Sequence, residues 1–186
     1  MKVRMELISD TIFGSGISVP GAEDIGVLFD RNGFPYLKGS TLRGILREEA
    51  ENYAAWTGKG REWLESRFGR SGIHPGSGAN CVTVTDFELP YEIRSLVMKE
   101  NVRCEDIFTS ERTFTKLENG MVEDGSLRTA RCINKGFVFY GEVLCNEEDE
   151  KEIKEILSFV HWIGTMRTRG FGEVALSVVE AKEENC

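Results

Sequence analysis

The chain contains no CxxC pair. Cys81, Cys104, Cys132, Cys145 and Cys186 are odd in number and scattered, which argues against both a zinc site and a disulfide framework and points to a reducing, cytoplasmic setting. No apolar run approaches the roughly 18 residues of a membrane span, so no membrane partner is expected. The opening MKVRMELISD alternates and carries charge, a strand pattern and not that of a signal peptide. Repeats and low-complexity tracts are missing as well. Positive charge is in deficit, with 23 Lys and Arg against 31 Asp and Glu and a net charge of −8. Taken whole, that deficit opposes nucleic-acid binding, because phosphate contacts need Lys and Arg.

Net charge is silent about placement. Acid concentrates in Glu147–Glu155 and Glu180–Glu184, whereas cations recur at Lys38, Arg43 and Arg47, along Arg103–Arg131, and at Arg167 and Arg169. A segregated surface is compatible with this pattern. With 186 residues, 40% of them hydrophobic, and eleven Phe, the chain suffices for one core, and residues 1–186 are expected to form a single domain.

Lys2–Ser9 alternates with period two, Val3, Met5 and Leu7 facing one way, and predicts a strand. Phe13–Gly26 reads as an irregular loop. Val27–Phe29 and Phe34–Leu37 flank Asp30-Arg31-Asn32-Gly33, a hairpin-turn signature. Gly39-Ser40-Thr41 opens a helix reaching about Ala55, with Leu42, Ile45, Leu46, Tyr53 and Trp56 at helical spacing, and Arg61–Arg67 adds a short second piece. Phe68–Asn80 is a Gly- and Ser-rich loop containing His74-Pro75. Cys81–Leu89 predicts a strand, while Tyr91–Ile107 fits neither pattern. Phe108–Lys116 and Leu127–Ile133 surround Asn119-Gly120 and Asp124-Gly125, suggesting a polar projecting hairpin over residues 108–133. Gly136–Cys145 predicts another strong strand. Asn146 is placed to cap a helix starting near Glu147, whose buried face is Ile153, Ile156, Leu157, Val160 and Ile163. Gly172–Val179 is the last strand.

Without its loops the order is β-α-β-β-α-β, the pattern of an α+β, ferredoxin-like domain with two helices on one face of an antiparallel sheet. Fold alone does not give function, because acylphosphatase-like enzymes, regulatory domains and RNA-recognition modules share this topology. Phe137 and Phe139 have the alternation of a base-stacking strand, but the surrounding consensus is missing. Asp10–Gly16 does not supply the phosphate loop that an acylphosphatase needs after its first strand.

Two stretches carry chemistry. In Pro35-Tyr36-Leu37-Lys38-Gly39-Ser40-Thr41-Leu42-Arg43-Gly44, a glycine and two hydroxyls lie at a helix start, where outward amides are able to hold a phosphate and Lys38 and Arg43 to add charge-assisted contacts. Taken alone, the local pattern fits an ordinary helix start better. In Gly164-Thr165-Met166-Arg167-Thr168-Arg169-Gly170-Phe171-Gly172, glycines permit close backbone approach and Arg167 and Arg169 suit phosphate. A C-cap and turn would account for Gly164 but not for the paired arginines.

Together these stretches resemble the repeat-associated mysterious protein (RAMP) superfamily, most closely the repeated backbone subunit of type III CRISPR effector complexes. The family's Pro-x-x-x-Gly-Ser-Ser/Thr-Leu-Lys/Arg-Gly helix start is matched by Pro35 to Gly44 and its Phe-Gly by Phe68-Gly69. Its Val-x-Asp-Ala-x-Leu strand is echoed by Val84-Thr85-Asp86-Phe87-Glu88-Leu89, and its terminal glycine-arginine run by Gly164 and Arg169 to Val174. The four matches occur in order across nearly the whole chain.

The resemblance implies a subunit of an antiviral, RNA-guided complex that grips CRISPR guide RNA and its complementary target RNA beside copies of itself and other effector subunits. The RNA contacts it implies are Lys38, Gly39, Ser40, Thr41, Arg43, Arg167, Arg169 and Gly170. Further contacts, Arg112, Lys116, Arg128 and Arg131, lie on Ser110–Arg131, which occupies the place of the family's thumb. Glu23 to Asp30 is similar to the family's aspartate-bearing loop. By position Asp24 is the candidate catalytic residue and ligand of a divalent ion, magnesium or manganese, supporting endoribonuclease cleavage of target RNA; Asp30 matches the turn residue. No other cofactor is implied. Gly26 stands where the family usually has proline, and Glu23 offers a second carboxylate. An architectural subunit that cleaves nothing, and a metal-independent guide-processing endoribonuclease with His74 as base, remain alternatives. His161, among apolar residues, reads as structural.

Overall fold

Alternation along Lys2–Leu7 (β1) buries Val3, Met5 and Leu7 completely, or nearly so, and leaves Lys2, Arg4 and Glu6 on the other face. A strand apolar on one side only needs partners on both edges and a layer over one face. In the computed structural model, which describes residues 1–16, 25–69, 82–100, 102–115, 117, 118, 121, 122 and 127–179, β1 is central. It pairs antiparallel with Val138–Leu144 (β7) on one edge, Met5 opposite Phe139, and with Val174–Val178 (β8) on the other, Met5 opposite Leu176. Thr83–Val84 (β2) joins the outer edge of β7, giving the order β2-β7-β1-β8. The protein is a mixed α/β structure with antiparallel sheets.

Gly39–Thr57 (α1) buries Leu42, Leu46, Ala50 and Tyr53, and Glu150–Phe159 (α5) buries Ile153, Ile156 and Leu157. The two helices touch each other, α1 reaching β2 and α5 reaching β8, and cover the apolar face of the sheet. Arg61–Phe68 (α2) is fastened beneath them: Arg67 donates to the buried Asp149 carboxylate at 2.5 Å, and Trp63 Nε1 and Lys59 both reach Glu152. Phe139 is buried against Phe13, ring centroids 5.4 Å apart, so it packs under the helices and offers no stacking face to RNA.

Beside the sheet stands an antiparallel ribbon of Thr109–Phe114 (β3) and Arg128–Ile133 (β6), extended by the short pair Leu117–Glu118 (β4) and Met121–Val122 (β5). Bridges from Thr11 to Ile133 and from Ile25 to Ala130 attach the ribbon to the domain. The turn expected at Asn119-Gly120 lies outside the described residues.

Several expectations are corrected. Tyr91–Glu100 (α3) and Cys104–Phe108 (α4) are helices in the stretch whose pattern was ambiguous; α3 sets only Ile93 and Val97 against the core and leaves Leu96 and Met98 exposed, so its apolar stripe is short and interrupted. Trp56 is 70% exposed instead of buried. The Asn146 side chain makes no capping bond; a 3-10 turn at Glu147–Asp149 precedes α5, and the helix ends at Phe159, although Val160 and Ile163 remain buried.

The strand expected over Cys81–Leu89 is interrupted. Val84 lies opposite Val143 and Glu88 opposite Tyr140. The β2 side thus takes four steps against three on β7, the mark of a β-bulge, which locally redirects side chains. Around this bulge the backbone of α1 comes very close: a Cβ on Gly39 would lie 2.1 Å from the Val84 carbonyl oxygen and 2.6 Å from that of Thr85. Gly39→Ala is therefore expected to lower stability by about 2–4 kcal/mol. Gly44→Ala, on the exposed side of α1 with nothing within 4 Å, should raise it by about 1 kcal/mol; urea unfolding midpoints check both.

Candidate nucleic-acid interface

The bulge points the Asp86 carboxylate at the start of α1. Asp86 Oδ1 accepts the Gly39 amide at 2.8 Å, and the Thr41 amide donates to the Lys38 carbonyl at 2.9 Å. Of the two readings of this segment, a phosphate seat and an ordinary helix start, the first amide follows the second: a carboxylate of the protein satisfies it, and α1 begins with its own anion in place. What the helix start presents outward is side chains, with Lys38, Ser40 and Thr41 all exposed.

Opposite them lies the segment after α5. It holds left-handed backbone at Gly164 (φ 94°), Met166 (φ 60°), Gly170 (φ 83°) and Gly172 (φ 84°), with a 3-10 turn at Arg167–Arg169. A Cβ on Gly164 would lie 2.3 Å from the Ile12 carbonyl oxygen, so this turn is pressed onto the chain leaving β1. The Thr165 amide donates to that same oxygen at 3.2 Å, and the Gly172 amide to the Asp10 carbonyl at 3.0 Å.

The two segments meet. Lys38 and Thr41 from the first, and Gly164, Thr165 and Arg167 from the second, line one open cleft of about 240 Å³ floored by Phe13, Leu28, Leu37 and Ile45. Ser40, exposed in the same first turn of α1, does not line it. Arg169 sits over the Phe114 ring at 5.8 Å, and Phe114 packs edge-on against Phe171 at 5.5 Å. This arginine thus joins the Gly170 turn to the ribbon and is not part of the cleft.

Other sequence candidates have partners within the protein. Arg43 Nε donates to the Val82 carbonyl at 2.8 Å and its Nη2 to the Phe68 carbonyl at 2.5 Å, so Arg43 clamps the end of α2 and the approach to β2. Arg112 grips Asp10 Oδ2 with Nε at 3.2 Å and Nη2 at 2.6 Å. That hydrogen bond, with the charge of Asp10, raises the arginine's pKa further. Arg131 reaches the Thr109 hydroxyl and Glu111, and Arg128 is exposed at the outer end of β6. Asp30 accepts the amides of Asn32 and Phe34 and pairs with Arg94, the role of a turn residue. His161 is exposed beyond the end of α5, against the expectation of a packed histidine. Asp24, His74 and Lys116 lie outside the described residues.

Two residues mattered more than their surroundings in the sequence suggested. Asp86 stands in a recognisable strand pattern, but only the bulge reveals its helix-seating role. Asp10 has no signal at all, yet its carboxylate holds Arg112 and the Lys135 amide while its carbonyl takes the Gly172 amide, tying together β1, the ribbon and the arginine turn. The described thiols are all held toward their protonated form. Burial, assisted by Asp10, pushes Cys132 up to about 12, and burial likewise raises Cys104 and Cys145. Among the described residues no helix is long and apolar enough to cross a membrane.

A family model, that of the RAMP superfamily, matches residues 4–175. The solved structures that share the fold include two of one complex. A chain of the type III-B Cmr-beta complex bound to cognate target RNA superposes with a TM-score of 0.67 at 15% identity, covering 94% of this chain and 95% of its own. A chain of the apo Cmr-beta complex superposes with a TM-score of 0.70 at 14% identity, covering 97% of each. No curated protein matches in sequence.

Asp86→Ala leaves the Gly39 amide without its acceptor and is expected to cost about 1–2 kcal/mol, as for loss of a helix cap. Arg43→Ala should cost a comparable 1–3 kcal/mol by stranding two carbonyls. Chemical denaturation of both variants measures this, and a neutral Arg43→Ala would contradict the clamp.

Proposed function

The chain belongs to the RAMP superfamily, and from that membership we propose that it is an RNA-binding subunit of a type III CRISPR effector complex. The observation that carries the proposal is the cleft itself. Lys38 and Thr41 near one end of the chain and Thr165 and Arg167 near the other border a single opening, and both cations are exposed there. Ammonium and guanidinium groups so placed suit successive phosphates of one strand, while base pairing with the target supplies sequence specificity. The partners proposed are guide RNA, complementary target RNA, further copies of the chain and other subunits of the complex.

The domain is proposed to be ferredoxin-like, which the antiparallel order β2-β7-β1-β8 supports, with the helices on one face. The β3–β6 ribbon is proposed as the thumb that wedges against the guide–target duplex. Its attachment through Asp10–Arg112 and through Arg169, Phe114 and Phe171 supports a fixed angle at the base. Gly44 fits the same picture. A glycine inside a helix costs stability, no described residue crowds it, and it shares a face with Ser40 and Thr41, so a close approach from outside gives it a purpose.

Cleavage of target RNA through Asp24 is proposed as well. Ile25, its neighbour in sequence, exchanges backbone hydrogen bonds with Thr129 and Arg131 on β6, which supports an active loop beside the thumb. The chemistry would be in-line attack of a ribose 2′-hydroxyl on the adjacent phosphate, forming a 2′,3′-cyclic phosphate and breaking the P–O5′ bond, with the carboxylate accepting the hydroxyl proton and water protonating the departing 5′-oxygen. Asp24 is proposed as a ligand of a divalent ion, magnesium or manganese, which would stabilise the charge that builds on the phosphate; among the described residues no cluster of three or more His, Cys, Asp or Glu is arranged for a metal.

RNA binding is tested by titrating single-stranded RNA at several salt concentrations. Lys38→Gln and Arg167→Gln should each weaken binding and flatten the slope of log K against log salt by about 0.7, whereas Arg43→Ala should leave the slope alone. Wild-type slopes in both cation variants would remove the cleft from the RNA path. In the reconstituted complex with magnesium or manganese, Asp24→Ala should abolish target cleavage and preserve guide binding. Cleavage that survives refutes the assignment of Asp24, and a wild-type complex that binds without cleaving makes the subunit architectural.

A further inference from the structure

The outward side of the helix layer carries aromatic side chains that the core does not use. Trp56, near the end of α1, is 70% exposed, and Phe159 and Trp162, at and beyond the end of α5, are 38% and 40% exposed. Trp56 and Phe159 meet edge to face with ring centroids 5.7 Å apart, across the seam along which α1 and α5 touch. A lone exposed aromatic needs no explanation, but a cluster of them is the kind of surface that a protein partner covers. None of the three lines the cleft described above.

The surroundings of these rings are acidic. From Glu48 to Thr57, α1 carries Glu48, Glu49 and Glu51 and no cation, and between Glu147 and Phe159 six carboxylates stand against two lysines. Lys59 and Lys154 are engaged, with Glu152 and Glu150 respectively. Glu155, one turn before Phe159, accepts the Tyr53 hydroxyl at 3.0 Å and is thereby held at the seam. Such a border repels phosphate, which excludes RNA as the occupant. It suits lysine or arginine, because carboxylates and tryptophan faces both attract a cation. We propose that the α1–α5 seam docks a helix of another protein, apolar along one stripe and basic on its flanks. The seam between two packed helices receives the side-chain ridge of a third, and an amphipathic helix presents such a ridge at i, i+3, i+4 and i+7. A second copy of the chain fits less well. Its exposed apolar helix, α3, sets Glu92 and Glu100 beside Arg94 and Lys99 and has no basic excess. This inference goes beyond the RNA-binding reading and does not rest on it.

The test titrates two labelled helical peptides into the full chain and follows fluorescence anisotropy. The peptides share length and leucine stripe and differ in carrying lysine or glutamate on the flanks. Wild-type protein should bind the lysine peptide at least tenfold more tightly. Trp56→Gln and Phe159→Gln should each weaken that binding about tenfold, the scale of losing an aromatic anchor. Trp56 is largely exposed, so its replacement leaves the fold intact, and circular dichroism checks both variants. Unchanged binding of the lysine peptide by both variants overturns the proposal, because charge alone then holds the peptide. Equal wild-type affinity for the two peptides overturns it too. Self-association of the wild type that disappears in Trp56→Gln would assign the patch to a second copy. Loss of RNA binding in Trp56→Gln would assign it to RNA, and either result overturns the proposal. A wild-type protein that prefers the lysine peptide but binds no RNA supports the docking site and removes the RNA-binding reading.

Discussion

The contact between the Asp86 carboxylate and the Gly39 amide governs the arrangement of this protein. A bulge in the outer strand lets the carboxylate leave the sheet and reach the first turn of α1 at 2.8 Å. Helix and strand backbones touch there, which only a residue without a Cβ allows. The helix is thereby fixed in position at its first residue. Lys38 and Thr41, immediately before and after that point, inherit the placement and face Arg167 across the cleft. A second carboxylate, Asp10, performs the matching task on the other side, connecting β1 to Arg112 on the ribbon and to the turn that carries the arginines.

This division of labour accounts for an acidic chain within the proposed RNA-binding role. Many of its arginines are structural: Arg43 holds carbonyls, Arg67 a buried aspartate, Arg94 a turn aspartate and Arg112 the end of β1. Much of the acid lies on and before α5, where Glu152 and Asp149 meet Lys59 and Arg67 of the neighbouring helical segment. The cations proposed to meet RNA are few and sit beside apolar surface. A protein with a net charge of −8 does not need a broad basic face if a small number of well-placed charges act together.

Legibility varied with the physics of each element. β1, β7, α1 and α5 were readable because each buries one face against a common core, and burial imposes a period. α3 was not readable, since Leu96 and Met98 face outward and break the pattern. The outer strand looked continuous because a bulge has no period of its own to betray it. Among the candidate contacts, Lys38, Thr41 and Arg167 share the cleft, whereas Arg43 is drawn inward by carbonyls from segments far along the chain.

The amino-acid order alone determined the elements that a core demands, their α and β alternation, and the two glycine-bearing segments whose motifs mark the family. Those are consequences of spacing along the chain and of residue type. Only the tertiary structure decided which charges are spent inside the protein and which face outward, because that depends on atoms brought near from distant positions. It alone joined Lys38 to Arg167, turned Asp86 onto a helix start, and enclosed apolar side chains from four separate segments as the floor of one cleft.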